Sequence, residues 1–165
     1  MLELMVVVAI IAVLAAVAVP SLFGDSRRAK GDSEVNAFFG ELSVREEQYK
    51  TEHGTYLQTG TGETNTFPAT PTAKAQALGT LPTSWTQLRV SPPESSVRCG
   101  YVVIAGDATT GTVGSVASTS FAYVNPSKSW YYVLAHCDLD GSGSKDSYYF
   151  MSSDDSKISS INRGS

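Results

Sequence analysis

The feature that most constrains this chain is an unbroken run of apolar residues near its start. Every residue from 4 to 19 is apolar, and Pro20 follows the run directly. At about 1.5 Å per residue, a helix over this run would be roughly 24 Å long. That length is slightly short of the roughly 20 apolar residues that a membrane-spanning helix usually needs. Such a helix is hydrophobic on all sides, so it requires lipid or protein around it.

Three interpretations compete for this run. A secretory signal peptide also has an apolar core, but it begins with Lys or Arg, whereas Glu3 is the charge that precedes this core. A buried core helix would need apolar partners on every side, and the rest of the chain is mostly polar and rich in turn residues. The sequence therefore favours a membrane anchor that later packs against copies of itself.

Residues 2–20 resemble the N-terminal helix of type IV pilins. The resemblance rests on Glu3, the apolar run and Pro20, which stand in the register typical of the pilin and pseudopilin superfamily. It implies a basic leader that a prepilin peptidase removes after a Gly, and N-methylation of the new terminal residue. Because the family's Glu is the fifth mature residue, the resemblance places the mature start two residues before Met1.

Glu3 is the candidate subunit-assembly residue. A carboxylate at the edge of hydrocarbon is costly unless it is paired, and the positive end of its own helix compensates only modestly. The free amino terminus of a neighbouring subunit would pair better and would fix the axial register of each added subunit. Taken alone, Glu3 is more simply an acidic residue in a first helical turn. The resemblance favours the assembly role.

Size and charge fit one compact domain plus one anchor. The chain has 165 residues, is 42% hydrophobic and carries a formal net charge of −4, which gives no support for general nucleic-acid binding. Its tight basic cluster, Arg27, Arg28 and Lys30, is interleaved with acidic residues and is typical of a solvated helix surface. Basic residues after an anchor predict the wrong orientation for a pilin, unless a basic leader outweighs them.

One long helix is predicted from the start of the chain to about His53. Pro20 removes a backbone donor and clashes with the preceding turn, so a kink is expected there, with Gly24 as a second weak point. An apolar stripe follows at helical spacing, and Gly54 marks the end of the helix. The stripe consists of Val35, Phe38, Phe39, Leu42 and Tyr49. Residues 1–24 are thus the predicted membrane or filament-core segment, and the second half should pack one face on a sheet.

The rest of the chain, 25–165, is predicted to form a globular head. After the helix comes a Thr- and Gly-rich loop within 55–84, which is expected to be exposed. Strands within 85–165 follow, and a helix followed by runs of strands argues for the α+β class with an antiparallel sheet.

Individual elements of the head can be predicted from apolar alternation and turn residues. A short helix is expected over 73–81. The candidate strands cover 85–90, 98–105, 119–124, 129–137 and 147–151. Residues 125–128 are predicted to be a turn that joins the third and fourth of these strands into a hairpin. The polar tail from residue 152 is expected to be irregular.

Two cysteines, Cys99 and Cys137, lie in separate predicted strands. No CxxC motif is present, so structural zinc has little support. In an exported domain the two would form a disulfide, whereas in the cytosol they would be buried free thiols. The disulfide would close a loop of roughly 40 residues, worth about 3–4 kcal/mol of stability. The resemblance implies the disulfide, because in type IVa pilins a C-terminal disulfide bounds a variable, exposed region.

An acidic loop directly after Cys137 is a candidate calcium site. Oxygen-bearing side chains occupy alternate positions, as in the first part of an EF-hand loop. These residues are Asp138, Asp140, Ser142, Ser144 and Asp146. Tyr149 stands where a bidentate Glu would close an EF-hand loop, so the pattern is incomplete. A flexible hairpin turn made of Asp, Gly and Ser explains the same residues equally well.

No catalytic residues are predicted, because the sequence has no GxSxG, Walker A or HExxH pattern. The resemblance implies a structural subunit of an extracellular type IV pilus that serves adhesion, twitching motility or DNA uptake. Its partners would be copies of itself, the inner-membrane assembly platform and the prepilin peptidase, and it would sit in the inner membrane before assembly. Two alternatives remain, a type II secretion pseudopilin and a minor pilin that acts as a binding module at a filament tip. No cofactor is implied besides the candidate calcium.

Overall fold

The protein has an α+β fold in which one long helix precedes a set of antiparallel strands. The computed structural model describes residues 2–109, 117, 121, 123 and 127–165, and the backbone alone at 2 and 17–24. In chain order the elements are α1 (Leu2–His53), β1 (Gln76–Ala77), α2 (Thr83–Gln87), β2 (Ser96–Val97), β3 (Gly100–Gly106), β4 (Trp130–Cys137), β5 (Ser147–Ser152) and β6 (Ser159–Ile161). Helix α1 thus ends at His53, directly before Gly54, as predicted from the sequence.

The strands form two antiparallel sheets. The larger sheet has the order β3-β4-β5-β6, and the smaller one pairs β1 with β2. In the larger sheet Leu134 of β4 lies opposite Val102 of β3 on one side and Phe150 of β5 on the other. Both long edges of β4 are therefore occupied, which makes it the central strand of the head.

The larger sheet is buried on both faces, because alternate side chains enter two different apolar clusters. One face joins the cluster that also holds Phe38 and Phe39 of α1, and it contributes Tyr101, Val103, Tyr131, Val133, Ala135, Tyr149 and Met151. The opposite face contributes Val102, Trp130, Tyr132, Leu134 and Phe150 to a second cluster. Strands buried on both faces read as continuous apolar runs, which is how β4 reads in the sequence.

Side chains of α1 contact β3 and β4 directly. Phe38 stacks on Tyr101 with ring centroids 4.5 Å apart, and the Ser43 hydroxyl lies 2.9 Å from the Tyr131 hydroxyl. The apolar side chains of α1 in this cluster are Val35, Phe38, Phe39 and Leu42, and all four are fully buried. Four of the five residues of the predicted stripe thus lie in the core, and Tyr49 packs against it as a partly buried residue.

The Thr- and Gly-rich loop that the sequence predicts to be exposed lies partly along the edge of β3. Phe67 and Tyr101 exchange two backbone hydrogen bonds of 2.8 and 2.9 Å. The Val103 backbone N–H donates to the Thr59 hydroxyl at 2.8 Å, and the Thr59 N–H donates to the Val103 carbonyl. An open strand edge would offer unpaired backbone groups to other chains, so this loop protects the edge of β3.

Two short-element predictions are wrong. Residues 73–81 contain strand β1, which pairs with β2, and the predicted strand over 85–90 begins inside helix α2. Pro82 precedes this helix with φ −58°, a value that suits a helix start. Trp85 and Leu88 are both buried, and their spacing of three residues fits a helix. The predicted strand covered six residues, which are too few to distinguish helical spacing from the alternation of a strand.

The predicted hairpin between 119–124 and 129–137 is wrong as well. Residues 119–124 lie outside the described residues except for 121 and 123, and the turn 125–128 except for 127 and 128. Strand β4 pairs with β3 and β5, so neither edge is available for a hairpin partner. The polar tail contains β6, whose Ser159 and Ile161 pair with Phe150 and Tyr148 of β5. A three-residue strand with two serines gave no apolar signal.

Candidate functional site

The candidate assembly site is the first part of α1, where large apolar side chains are exposed. Nine of them between residues 4 and 14 keep 51% to 74% of their surface exposed. They are Leu4, Met5, Val6, Val7, Val8, Ile10, Ile11, Val13 and Leu14. Together they form a contiguous apolar surface on all sides of the helix, of the kind that marks contact with another protein or with a membrane. In the part of the chain that the structure describes, no helix meets the length and apolarity needed to span a bilayer.

Glu3 lies in the first turn of this apolar helix. It is exposed, and none of the described residues forms a hydrogen bond or an ion pair with its carboxylate. An acidic residue here interacts favourably with the positive end of the helix. The geometry leaves this carboxylate available to a group from outside the chain.

The predicted kink residues lie in the middle of α1. The helix is continuous through Pro20 and Gly24, so the backbone does not leave the helix there. The side chains of both residues lie outside the described residues, and the kink stays a prediction.

The disulfide between Cys99 and Cys137 is confirmed, and both residues are fully buried. Gly100 lies opposite His136 in the pairing of β3 with β4, and one step further along the same register sets the two cysteines opposite each other. Their Cα atoms are 4.3 Å apart. The disulfide therefore ties two neighbouring strands at the end of the sheet nearest to Glu34 of α1.

Glu34 holds this end of the sheet to the helix. Its carboxylate accepts hydrogen bonds from the backbone N–H of Arg98 at 2.8 Å, from that of Cys99 at 2.9 Å and from the Tyr101 hydroxyl at 3.0 Å. The side chain is 3% exposed, and the Arg98 guanidinium lies 3.4 Å away. Burial is the main cause that raises the pKa of Tyr101 well above its usual value, and the charge of Glu34 is the second cause. The phenol therefore remains a hydrogen-bond donor.

Glu46 is a second buried carboxyl group of α1, and it is fully buried beside the point where the chain leaves the helix. Its Oε2 atom accepts the backbone N–H of Leu57 at 2.9 Å, whereas Oε1 has no hydrogen-bond partner among the described residues. Burial raises the pKa of Glu46 to about 8, and the nearby charge of Glu47 adds to the increase. The side chain is therefore mostly protonated at neutral pH.

The burial of Glu34 and Glu46 was not predicted from the sequence. A signal was present, since Glu34, Phe38, Leu42 and Glu46 recur every four residues and so lie along one ridge of the helix. A carboxylate on such a ridge is buried when the partner element offers backbone donors. The N–H groups of Arg98 and Cys99 could not be assigned to Glu34 before the fold was known.

In the candidate calcium loop the oxygen atoms serve the turn itself. Asp138 accepts the N–H of Gly141 at 2.7 Å, and Asp140 accepts the N–H of Ser142 at 2.8 Å. The side-chain bond to Ser142 leads the interactions that lower the pKa of Asp140. The hydroxyls of Ser142 and Ser144 bond to each other. These are the bonds of an Asp- and Ser-rich turn.

The carboxylate of Asp146, the last of the candidate calcium ligands, contacts a histidine. Asp146 Oδ2 lies 2.6 Å from His136 Nε2, and the His136 ring stacks on Tyr148. Within the described ranges, no three His, Cys, Asp or Glu side chains lie close enough to hold one metal ion. These contacts are those of a hairpin turn, and the calcium interpretation stays a prediction.

The regions that stand out are thus an exposed apolar helix segment headed by Glu3 and a sheet that Glu34 joins to the same helix and that a disulfide crosslinks. Comparisons with known protein families, with curated proteins and with solved structures found nothing that matches this chain.

Proposed function

We infer that the chain is a structural subunit of an extracellular filament of the type IV pilus kind. The observation that carries this proposal is the exposed apolar segment at residues 4–14 of α1. Residues 34–46 of the same helix lie against the sheet and loops, which cover this part of the helix and leave residues 4–14 bare. A bare helix that is apolar on all sides is stable in water only when lipid or other copies cover it.

The proposed mechanism is the exchange of lipid for copies of the same helix. The subunit waits in the inner membrane, and on assembly its apolar segments bundle at the filament centre. Each contact joins different surfaces of two copies and does not close, so it generates a helical polymer instead of a ring. Glu3 receives the amino terminus of a neighbouring copy, which compensates a carboxylate in apolar surroundings.

The remaining features of this proposal come from the resemblance of residues 2–20 to type IV pilins. They include the assembly platform and prepilin peptidase as partners, the methylated amino terminus, and roles in adhesion, twitching motility or DNA uptake. The finer architecture is also part of it, namely a helix kinked near Pro20 and packed on the sheet by its second half. The proposed role is structural and requires no catalytic residue or cofactor.

The first test is mass spectrometry of filaments sheared from the source cells. We expect this chain to dominate the fraction and to carry two further residues and a methylated amino terminus before Met1. If the protein stays in the membrane fraction and is absent from the filaments, the major-subunit proposal is wrong.

A matched pair of substitutions tests the apolar segment itself. Val8 and Val44 are valines of the same helix with 64% and 53% of their surface exposed, but only Val8 lies in the apolar run. We expect Val8→Lys to abolish sedimentable filaments, because a charge in an apolar bundle is costly, and Val44→Lys to leave them. Equal loss in both variants, or filaments with Val8→Lys, would contradict the assignment of assembly to this segment.

Glu3→Gln separates membrane insertion from assembly. The amide keeps the size of the side chain and removes the charge that a neighbouring amino terminus would pair with. We expect the variant to remain in the membrane fraction while the yield of filaments falls. Normal assembly would show that Glu3 is no more than an acidic residue of the first helical turn.

A further inference from the structure

A cavity of about 500 Å³ opens on the outer face of the sheet beside β5 and β6. Its apolar lining residues are Phe121, Tyr123, Phe150 and Ile161. Phe121 stacks on Phe150 with ring centroids 5.2 Å apart, and Tyr123 meets Phe150 edge-on at 5.8 Å. The volume falls in the range of small-molecule sites. Phe121 and Phe150 are buried, with 7% and 8% of their surface exposed, so Tyr123 is the ring of this group that a ligand in the cavity could contact most fully.

Polar residues line the rest of the cavity. They are Ser152, Asp154, Asp155, Lys157, Ser159 and Ser160. Asp155 Oδ1 accepts the backbone N–H of Lys157, and Ser152 Oγ accepts the backbone N–H of Asp155. Ser159 lies opposite Phe150 on the outer face of the sheet, whereas Ser160 lies opposite Tyr149, so its side chain belongs to the inner face. Among the described residues, none bonds to the Lys157 ammonium group or to the Ser159 hydroxyl, so these two groups remain available to hydrogen-bond a ligand.

The charges at the cavity cancel, which restricts the ligand class. Lys128 Nζ lies 3.0 Å from Asp154 Oδ1, and the Tyr123 hydroxyl donates to Asp154 Oδ2 at 3.3 Å. The remaining acid, Asp155, faces the same opening as Lys157. Lys157 is the lysine that lines the cavity, and Lys128 neutralises Asp154 from beside it, so neither a phosphate nor an amine gains a net attraction. The cavity is best suited to a neutral ligand with many hydroxyl groups.

We propose that this cavity binds a neutral saccharide of one or two sugar units. A sugar ring presents C–H groups on its faces, which pack on an aromatic ring such as Tyr123, and hydroxyls at its edge, which match Ser159 and Lys157. The site uses Phe121, Tyr123 and residues 150–161, and none of the apolar segment 4–14. It is therefore independent of the proposed assembly and would exist in a single copy of the chain.

Saturation-transfer NMR on the full chain tests the proposal. The detergent should have a polyoxyethylene headgroup, because glucoside and maltoside detergents would compete for the site. The probes are glucose, galactose, N-acetylglucosamine and lactose, with glucosamine and glucuronic acid as cationic and anionic comparators. We expect saturable transfer in the millimolar range for at least one neutral sugar, and weaker transfer for both charged ones. Absence of transfer from all four neutral sugars, or tighter binding of a charged one, would overturn the proposal.

Variants then locate the site. Tyr123→Ala should weaken binding about tenfold through the loss of a stacking ring. Ser159→Ala should weaken it about fivefold through the loss of one hydrogen bond, and it decides the matter if Tyr123→Ala fails to fold. Tyr148→Ala is the matched control, because Tyr148 lies on β5 but does not line the cavity. Unchanged binding in Ser159→Ala, or equal weakening by Tyr148→Ala, would place the ligand elsewhere and refute the assignment.

Discussion

Two segments of the continuous helix α1, residues 4–14 and residues 34–46, differ in which side chains they bury. Residues 4–14 carry nothing but apolar side chains, and their large ones are exposed, whereas residues 34–46 include charged and polar groups and bury two carboxyl side chains. From composition alone, the apolar segment would be expected to be buried and the segment with charged residues to be exposed. Burial follows the surface that faces each segment, because the sheet supplies backbone donors as well as apolar side chains to the second segment. Among the described residues, no such surface faces the first segment.

This difference indicates how the head and the apolar segment can act separately. The head contains a closed core with its own disulfide, and that core includes no residue of the segment 4–14. Changes in one region should therefore leave the other unaffected, as expected for distant sites without shared partners. Substitutions at both ends of the helix can test this independence.

The largest expected effect comes from Phe38→Ala. Phe38 is fully buried, stacks on Tyr101 and also contacts Trp85. Truncating such a ring should lower the free energy of unfolding of the head by about 3–5 kcal/mol. Chemical denaturation followed by tryptophan fluorescence measures this loss. Val8→Ala is the matched control and should leave the denaturation midpoint unchanged, since Val8 is exposed; an equal loss would show that the two ends are coupled.

The second effect is a pH dependence that arises from Glu46. Its pKa rises from an ordinary 4.5 to about 8 in the folded chain. Between these values the unfolded chain releases a proton that the folded chain keeps, so the free energy of unfolding should fall as the pH rises from 4.5 to 8. Below this window both states are protonated, and the stabilising effect is fully present.

Glu46→Gln should remove this fall, which amounts to a few kcal/mol, and should make the variant more stable than the parent at pH 8. Denaturation curves at several pH values measure the difference. The same change at an exposed position, Glu52→Gln, should keep the fall of the parent protein. A parent whose stability is constant from pH 4.5 to 8 would show that Glu46 is ionised in the folded state.

The third effect concerns the carboxylate that fastens the helix to the sheet. Glu34→Gln places an amide donor against the N–H groups of Arg98 and Cys99 and removes the charge that strengthens those bonds. We expect a loss of about 1.5–3 kcal/mol in the free energy of unfolding. Glu52→Gln again serves as the exposed control. The loss should persist after reduction of the disulfide, because the bonds to Glu34 do not depend on the covalent link.

The same helix shows how far the sequence could predict the fold. The helix to His53, the strands β3, β4 and β5 and the disulfide could be predicted, because each rests on a long apolar pattern or on the presence of two cysteines. Glu34 and Glu46 could not, since an acidic residue is buried only where a distant segment supplies donors. The hairpin prediction failed for a related reason. It paired neighbouring runs in the sequence, whereas β4 lies between β3 and β5.

The candidate site divides in the same way. The exposed apolar segment headed by Glu3 could be predicted, because its composition leaves little choice about its surroundings. The calcium interpretation was drawn from spacing alone, and spacing does not reveal that Asp138 and Asp140 bond to the backbone of their own turn. The aromatic cavity beside β6 was missed altogether, since it depends on a three-residue strand and on residues far apart in the chain.

The smallest effect is expected at Gly40, which lies within residues 34–46 of α1. It is an exposed residue inside α1, and a Cβ atom added there would meet nothing within 4 Å. Glycine in a helix interior is less favourable than alanine by about 0.5–1 kcal/mol. Gly40→Ala should therefore raise the free energy of unfolding of a single copy by that amount, as chemical denaturation would measure. If the variant is less stable than the parent in the single copy, the helix does not have the open surface described for this position.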